Sequence, residues 1–497
     1  MRPTVSRHLP GIPPAAIAVA LLLLGGCAVG PRYQRPRVQT PSAWKEQAPF
    51  RAATPKDTIS KGDWWTIFAD RTLDGLMAQS QQANQTVEVA RNQLEQARSF
   101  ARIQTAGYFP GFSAGPSVQR SRLSGNRPIT GSATSLAPIT QSNFQIPFSL
   151  NYEVDIFGAV RKNVEAANEL YQSQAANLEN VRLVIASELA ADYFQLRELD
   201  AEIQVLNSGV SFEARGLQLV VNRHNGGVAS GLDVAQQRTL LDSTRTQAAL
   251  LIQQRKQFEH AIAALTGAPA SLFSIAVKPL NIGPPAIPTG IPSDVLERRP
   301  DIALAERQVA AQNAYIGVAE SALYPSINLF AGGGVQSAAV SQVFSAPSFI
   351  WSLGAGAAQT IFNGGRTHAQ IDYQKSIYGE SVANYRQTVL TAFQQVEDGI
   401  AGLDVLAGAA KTQQEAVADA QTALRIANDR YVGGITTYLD VITAQETLLT
   451  NQRLATQILG QRLVTSVYLV KALGGGWDST SLQSIGVHSN WKQTFQR

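Results

Sequence analysis

Between Asn143 and Ile156 apolar and polar residues alternate without a slip: Phe144, Ile146, Phe148, Leu150, Tyr152, Val154 and Ile156 on one face, Asn143, Gln145, Pro147, Ser149, Asn151, Glu153 and Asp155 on the other. Strict period two predicts a strand with one apolar face, and the run exceeds the about 9–11 residues that cross a bilayer as a tilted strand. Gly111 to Leu123 precedes it across a Ser/Thr/Gly-rich loop. Pro325 to Val340 and Ser348 to Ile361 form a second pair, with Phe349, Trp351 and Leu353 on one face. The two hairpins, at about 111–157 and 325–362, differ by ten residues, which hairpin loops tolerate. One sheet of a soluble sandwich would alternate in the same way; the small number of strands argues against it.

After each hairpin the period changes. The strand exits Ile156-Phe157-Gly158 with Arg161 and Ile361-Phe362-Asn363 with Arg366 lead into long segments without proline. In the second, Val382, Val389, Val396, Leu403, Ala410, Val417, Leu424 and Tyr431 recur every seven residues; 207 positions earlier stand Leu189, Leu196, Ile203, Val210, Leu217 and His224. Matched heptads predict coiled-coil helices. From Arg161 to Arg223 is 62 steps, about 90 Å of helix at 1.5 Å per residue, so these helices form a rod or a wall. Trp64 to Thr105 also reads as helix, with Leu76, Ala83 and Ala90 spaced by seven and Pro110 beyond its end.

Each long helix ends in one pattern, R-x-x-G-G-x4-L-D-V: Arg223, Gly226, Gly227, Leu232, Asp233, Val234, and again Arg430, Gly433, Gly434, Leu439, Asp440, Val441. These are the turns of helical hairpins, with glycine supplying the positive φ that ends one helix and Ser230 or Thr437 capping the next. Two copies of one hairpin imply an internal duplication. The expected organisation is a leader at 1–26, an extended proline-studded strap at 27–63 and a first repeat at 64–270 with its tip at 224–233. A linker at 271–292 follows, then a second repeat at 293–474 with its tip at 431–440, and an irregular tail at 475–497.

Composition narrows the setting. The chain has 497 residues, 44% hydrophobic, with a net charge of +4. Arg2 and Arg7 precede the one long apolar run, Ala15 to Leu24, which is shorter than the roughly 17–25 residues of a spanning helix. Small residues and the single cysteine follow: Leu24-Gly25-Gly26-Cys27. This is a secretory leader, and it resembles a lipobox, which implies cleavage before Cys27, acylation of its sulfur and, with Ala28 rather than Asp next, delivery to the outer membrane. The mature chain carries +2, too near neutral to argue for nucleic acid. Four strands cannot sit alone in lipid, because open edges leave backbone groups unpaired; closure between chains gives eight strands from a dimer or twelve from a trimer.

Four segments carry a specific resemblance: Cys27-Ala28-Val29-Gly30-Pro31-Arg32-Tyr33, Trp64 to Leu76, Gly290 to Ile302, and Arg430 to Gln445. With the repeat order they make the chain similar to TolC-type outer-membrane efflux channels, in particular their lipoprotein branch. That resemblance implies a membrane β-barrel continued by a long α-helical coiled-coil barrel: two internal repeats, four strands per chain and a twelve-stranded barrel in a homotrimer. It implies a periplasmic adaptor protein and an inner-membrane pump, of the RND type, as partners. It also implies a periplasmic gate at Tyr431, Asp440 and Asp233, and adaptor-contacting tips at Arg223, Gly227, Arg430 and Gly434. Thr443 and Glu446 stand where some relatives carry Asp and Arg, so a gate here would have fewer or different charge pairs. Asp233 and Asp440 also suit the plainer role of first-turn acids at helix N-termini.

Enzyme motifs are decoys. Gly111-Phe112-Ser113-Ala114-Gly115 matches G-x-S-x-G, but a nucleophile elbow needs a helix next and Pro116 continues a strand. His8, His224, His260, His368 and His488 lack ligand spacing, and Met1 and Met77 make no thioether track. No cofactor, metal or catalysis is expected. The reading is a passive exit channel for small molecules such as drugs; a type I protein-secretion channel or a pore-less lipid-anchored scaffold are the alternatives.

Overall fold

The computed structural model describes residues 28–45, 63–125, 138–280, 282–287, 292–476 and 486. Cys27 and the leader lie outside them, as does nearly all of the expected tail.

Five strands form one antiparallel sheet: β1 (Gly111–Ala114), β2 (Ser117–Leu123), β3 (Ile139–Val154), β4 (Ser326–Ser337) and β5 (Phe349–Ala358). The order is β1 and β2 against β3, then β4, then β5. The strand expected over Gly111 to Leu123 is interrupted, although its register against β3 runs on unchanged from Ala114↔Phe148 to Ser117↔Gln145. Pro116 and Pro147 meet at that point, and neither has an N–H to donate; Gly115 N–H to Pro147 O at 3.2 Å is the bond that remains. Among the described residues the sheet is four strands wide, and β1/β2 and β5 each pair on one side only.

Register assigns the two faces. Phe148, Gly333 and Trp351 align across β3, β4 and β5, as do Leu150, Ala331 and Leu353. The apolar face covers β3 from Phe144 to Val154; above it the same face turns to Arg120, Arg122, Thr140 and Ser142. The apolar band is therefore shorter than the alternation suggested, and matches the about 9–11 residues of a tilted spanning strand. β3 stops at Val154 because Asp155 turns the chain: its carboxylate accepts from the backbone N–H of Val160 (3.0 Å) and Arg161 (2.9 Å) and from Arg161 Nε (3.1 Å).

The helices are α1 (Arg71–Ala83), α2 (Gln85–Thr105), α3 (Ala159–Asn225), α4 (Gly231–Leu265), α5 (Pro292–Arg298), α6 (Pro300–Ser321), α7 (Arg366–Val432) and α8 (Tyr438–Ala472). Trp64 to Thr105 is not one helix as expected. A 3₁₀ turn at Trp64–Phe68 is followed by Ala69 at φ 51°, and the chain restarts twice, on Asp70 and on Asn84, whose side chains accept from the first free N–H groups. Those two N-cap residues were legible signals. α3 and α7 have 67 residues each, about 100 Å; α4 and α8 have 35 each. All four starts and ends obey the 207 offset.

The main core lies where α1, α3, α6, α7 and α8 meet, around Trp64, Leu73, Tyr193, Phe194, Leu196, Tyr385, Val389 and Leu463. Phe68 and Phe194 rings are 4.8 Å apart, and Tyr193 Oη donates to Asp70 at 2.8 Å. The heptad row holds only in part. Leu189, Leu196, Val389, Val396, Leu403, Leu424 and Tyr431 are buried, but Ile203, Val210 and Leu217 are half-buried and His224 is exposed. Below the main core α3 packs chiefly on α4, and the row at Leu199, Leu206, Glu213 and Val220 takes over the contact.

The strap is docked. Val29 N–H bonds Phe157 O (3.0 Å), Asn313 bonds Pro31 O (3.1 Å), Tyr33 Oη donates to Glu306, and Trp44 packs on Phe393. The linker is tied down too: Arg255 and Arg197 converge on Asp200 (2.6 and 2.9 Å) and bond the carbonyls of Ile275 and Ala276.

Candidate functional site

The two R-x-x-G-G turns lie at the far ends of α3 and α7, and both close the same way. Val228 N–H bonds Arg223 O (2.8 Å) and Gly227 N–H bonds His224 O (2.9 Å); in the second copy Ile435 bonds Arg430 (2.9 Å) and Gly434 bonds Tyr431 (3.0 Å). These paired bonds define a Schellman motif, which needs a left-handed residue. Gly227 (φ 75°) and Gly434 (φ 72°) supply it, and nothing would lie within 4 Å of a Cβ at either position. The glycines are required here by backbone conformation rather than by close packing.

The restarts differ. Ser230 and Asp233 form a reciprocal capping box, Asp233 N–H to Ser230 Oγ at 3.1 Å and Ser230 N–H to Asp233 Oδ2 at 3.0 Å. Thr437 sits at the N-cap of α8 without a side-chain cap bond; Thr436 Oγ1 instead donates to Asp440 Oδ2. Asp440 is exposed.

Between the hairpins lies a small aromatic and polar cluster. Tyr431 and Tyr438 ring centroids are 4.8 Å apart, and the Arg223 guanidinium carbon lies 4.6 Å from the Tyr431 centroid. Tyr431 Oη and Arg223 Nε are buried and have no hydrogen-bond partner among the described residues. Burial pushes the Tyr431 phenol up; Arg223 opposes that and Asp233 adds to it. Asp233 is thus near Tyr431 electrostatically, yet its carboxylate bonds Ser230, and no hydrogen bond joins it to Tyr431 within one chain.

Sequence reasoning missed Tyr438. Its ring is 97% buried, and its hydroxyl donates to Gln237 Oε1 at 2.9 Å. Gln237 is fully buried, and its Nε2 donates to Glu213 O at 2.9 Å. The phenol fits a notch at Gly216, where a Cβ would stand 2.9 Å from Tyr438 Oη. Burial, then Tyr431, Asp233 and Glu213, push the Tyr438 phenol up. Thr244 Oγ1 donates to Glu213 Oε1 (3.0 Å), so α3, α4 and α8 join through one buried network. The signal was available: the position 207 before Tyr438 is Gly231, a second inequality between the copies beside Tyr431 and His224. His224 turns back on its own loop, with Nδ1 2.9 Å from Ala229 O.

The remaining candidates separate. Gly227, Arg430 and Gly434 are exposed at the tips, whereas Arg223 is half-buried against Tyr431. Thr443 bonds its own helix at Leu439 O (3.0 Å), and Glu446 is exposed. Ser113 of the G-x-S-x-G match lies in β1 with its Oγ 2.7 Å from Ser149 Oγ, not on a strand-to-helix elbow. Among the described residues no group of three His, Cys, Asp or Glu side chains has metal-site geometry.

The profile of the outer membrane efflux protein family matches residues 76–268 and 291–475. The toluene efflux pump outer membrane protein TtgF of Pseudomonas putida is 31% identical over 483 residues, covering 94% of this chain and 98% of that one. The pyoverdine export outer membrane protein OpmQ of Pseudomonas aeruginosa is 32% identical over 461 residues, covering 93% and 96%. The solved structure of the outer-membrane channel OprN superposes with a TM-score of 0.83 at 26% identity, over 91% of this chain and all of that one. The chain belongs to the outer membrane efflux protein family, whose members are outer-membrane channels reaching into the periplasm and not enzymes.

Proposed function

We propose that the chain is a passive exit duct for small molecules, working as a homotrimer that a periplasmic adaptor couples to an inner-membrane pump of the RND type. The observation that carries this is the open sheet: one apolar face of bilayer height, with β1/β2 and β5 unpaired on their outer sides among the described residues. Three such sheets joined edge to edge make a twelve-stranded barrel without free edges, its apolar face to lipid and its Ser-, Gly- and amide-rich face to the lumen. The equal helix pairs of the two repeats, 64–270 and 293–474, continue it as a coiled-coil wall. Relatives named for toluene efflux and for pyoverdine export support small-molecule cargo.

At the tips the resting channel is held shut by Tyr431 and its neighbours, with Asp440 lining the constriction and Asp233 holding the first turn in shape. Gly227, Arg430 and Gly434 present the surface that the adaptor engages, while Arg223 serves mainly the contact with Tyr431. Acylated Cys27 anchors the start of the strap in outer-membrane lipid. Support for this comes from its neighbours, since Ala28 lies against Gly158 and Val29 bonds Phe157, where strand gives way to helix. Native mass spectrometry of the detergent-extracted protein tests the assembly. Particles of three chains are expected; monomers alone would remove the barrel.

A further inference from the structure

Every second residue of the strands faces away from the apolar band, and on that face the residues are mostly small or polar: Ser149, Asn151 and Glu153 on β3, Gly332 and Gly334 on β4, Ser352, Gly354 and Gly356 on β5, with Ile350 an aliphatic exception. Phe330 breaks the pattern. It pairs with Asn151 on one side and Gly354 on the other, so its side chain shares their face, and it is the one aromatic residue on that face among the described strands.

The ring does not stand free. A Cβ built on Gly354 would fall 2.4 Å from Phe330 Cζ and 2.5 Å from Cε2. The far edge of the ring therefore lies directly over the Gly354 backbone, flat across the neighbouring strand, and only a residue without a side chain leaves it that berth. Ring-over-glycine contacts also help to pair strands. A merely stabilising ring would nevertheless be out of place on the one wall where every other described aromatic position is avoided.

We propose that Phe330 and Gly354 form an aperture-setting pair on the lumen wall: the glycine holds the ring out of the bore, and in a trimer three such rings present an aromatic contact to passing cargo. The proposal rests on the trimeric channel of the preceding section. With no Cβ at position 354 the ring stays retracted; with one, the ring must rotate off the wall, and the open space beside it is the lumen.

Single-channel conductance in planar bilayers decides, recorded in a tip-opened background (Arg223→Ala with Tyr431→Leu) so that the tip constriction does not limit the current, with heat-resistant trimer on a gel as the check on folding. Gly354→Ala is expected to lose conductance relative to that background, and Phe330→Ala added to Gly354→Ala is expected to restore it fully. Unchanged conductance on adding Gly354→Ala, or a loss that Phe330→Ala does not repair, overturns the pair. Should Gly354→Ala fail to assemble, Phe330→Trp in the native glycine background carries the test: its larger ring overhangs the berth and lowers conductance, and an unchanged trace refutes the proposal. A native protein that forms trimers but no pore removes the channel reading itself, and this proposal with it.

Discussion

Arg223 lies over the ring of Tyr431, guanidinium carbon to ring centroid 4.6 Å, and this contact ties the end of α3 to the end of α7. The ring is buried and its hydroxyl has no hydrogen-bond partner among the described residues, so the contact acts through the π face rather than through a hydrogen bond. A cation over an aromatic face is worth about 0.5–2 kcal/mol. Arg223→Ala and Tyr431→Leu should each raise the resting conductance, and the double variant should add little beyond either, because both remove the same contact. Fully additive effects in that cycle would show that the two side chains act separately. Tyr431→Phe, which keeps the face, should stay near the native level.

Tyr438 closes the seam a short distance away. Tyr438→Phe leaves Gln237 fully buried with its acceptor unpaired, a cost of about 1–3 kcal/mol. Hydrogen exchange should speed up around 213–216 and 237 while the strands keep their protection. Unchanged exchange there would mean that the notch, not the bond, holds the seam.

The two acids of the repeated turn should behave differently. Asp233→Ala removes half of a capping box and should cost about 1 kcal/mol of stability, with little change in ion flow. Asp440 is exposed and its carboxylate bonds only Thr436 among the described residues, so Asp440→Ala should weaken divalent-cation block and leave thermal stability nearly intact. The opposite pattern would exchange their roles.

Glu198 gives the helical wall a pH dependence. Burial, and next the neighbouring Glu202, push its carboxyl from the ordinary 4.5 to about 7, while Glu202 is held by Arg453 at 2.5 Å. A raised carboxyl is a penalty on the folded state that is absent below 4.5 and grows as pH rises through that window, becoming complete above about 7. Thermal stability should therefore fall as pH rises from 5 to 8, and Glu198→Gln should flatten the curve by gaining stability at pH 8 only. Parallel curves would place the dependence elsewhere; Asp192, raised to about 6 by burial and by Glu188, is the next group to replace.

The long elements were legible because their signals repeat many times. Period two fixed the face of β3 residue by residue, and the 207 offset placed the ends of α3 and α7 through Gly227 and Gly434, the φ-positive positions of the motif. What escaped depends on single residues or on partners distant in sequence. The break at Pro116 needed Pro147 opposite the neighbouring Gly115. The handover from Leu196 and Ile203 to Leu199 and Leu206 needed to know that α3 changes partners along its length. At the tips the motif named Asp233 and Tyr431 but not what they touch: Asp233 turned to Ser230, and Arg223, read as a docking residue, turned inward to Tyr431. Comparing the copies residue by residue would have exposed Tyr438 against Gly231.

Gly434 separates turn geometry from contact. A Cβ at Gly434 would meet no atom within 4 Å, so the main effect of Gly434→Val is the strain of φ 72°, and it should abolish crosslinking of the tip to the adaptor while the trimer survives. Gly434→Asn, which adopts the left-handed region more readily, should retain much of it. Loss in both would assign the glycine to the contact surface itself.

The central claim, a channel closed between chains and shut at its tips, is tested most directly by planar-bilayer recording of the purified trimer. The account predicts a small resting conductance that rises when Arg223 is replaced by Ala. A trimer that carries no current in either form would contradict it.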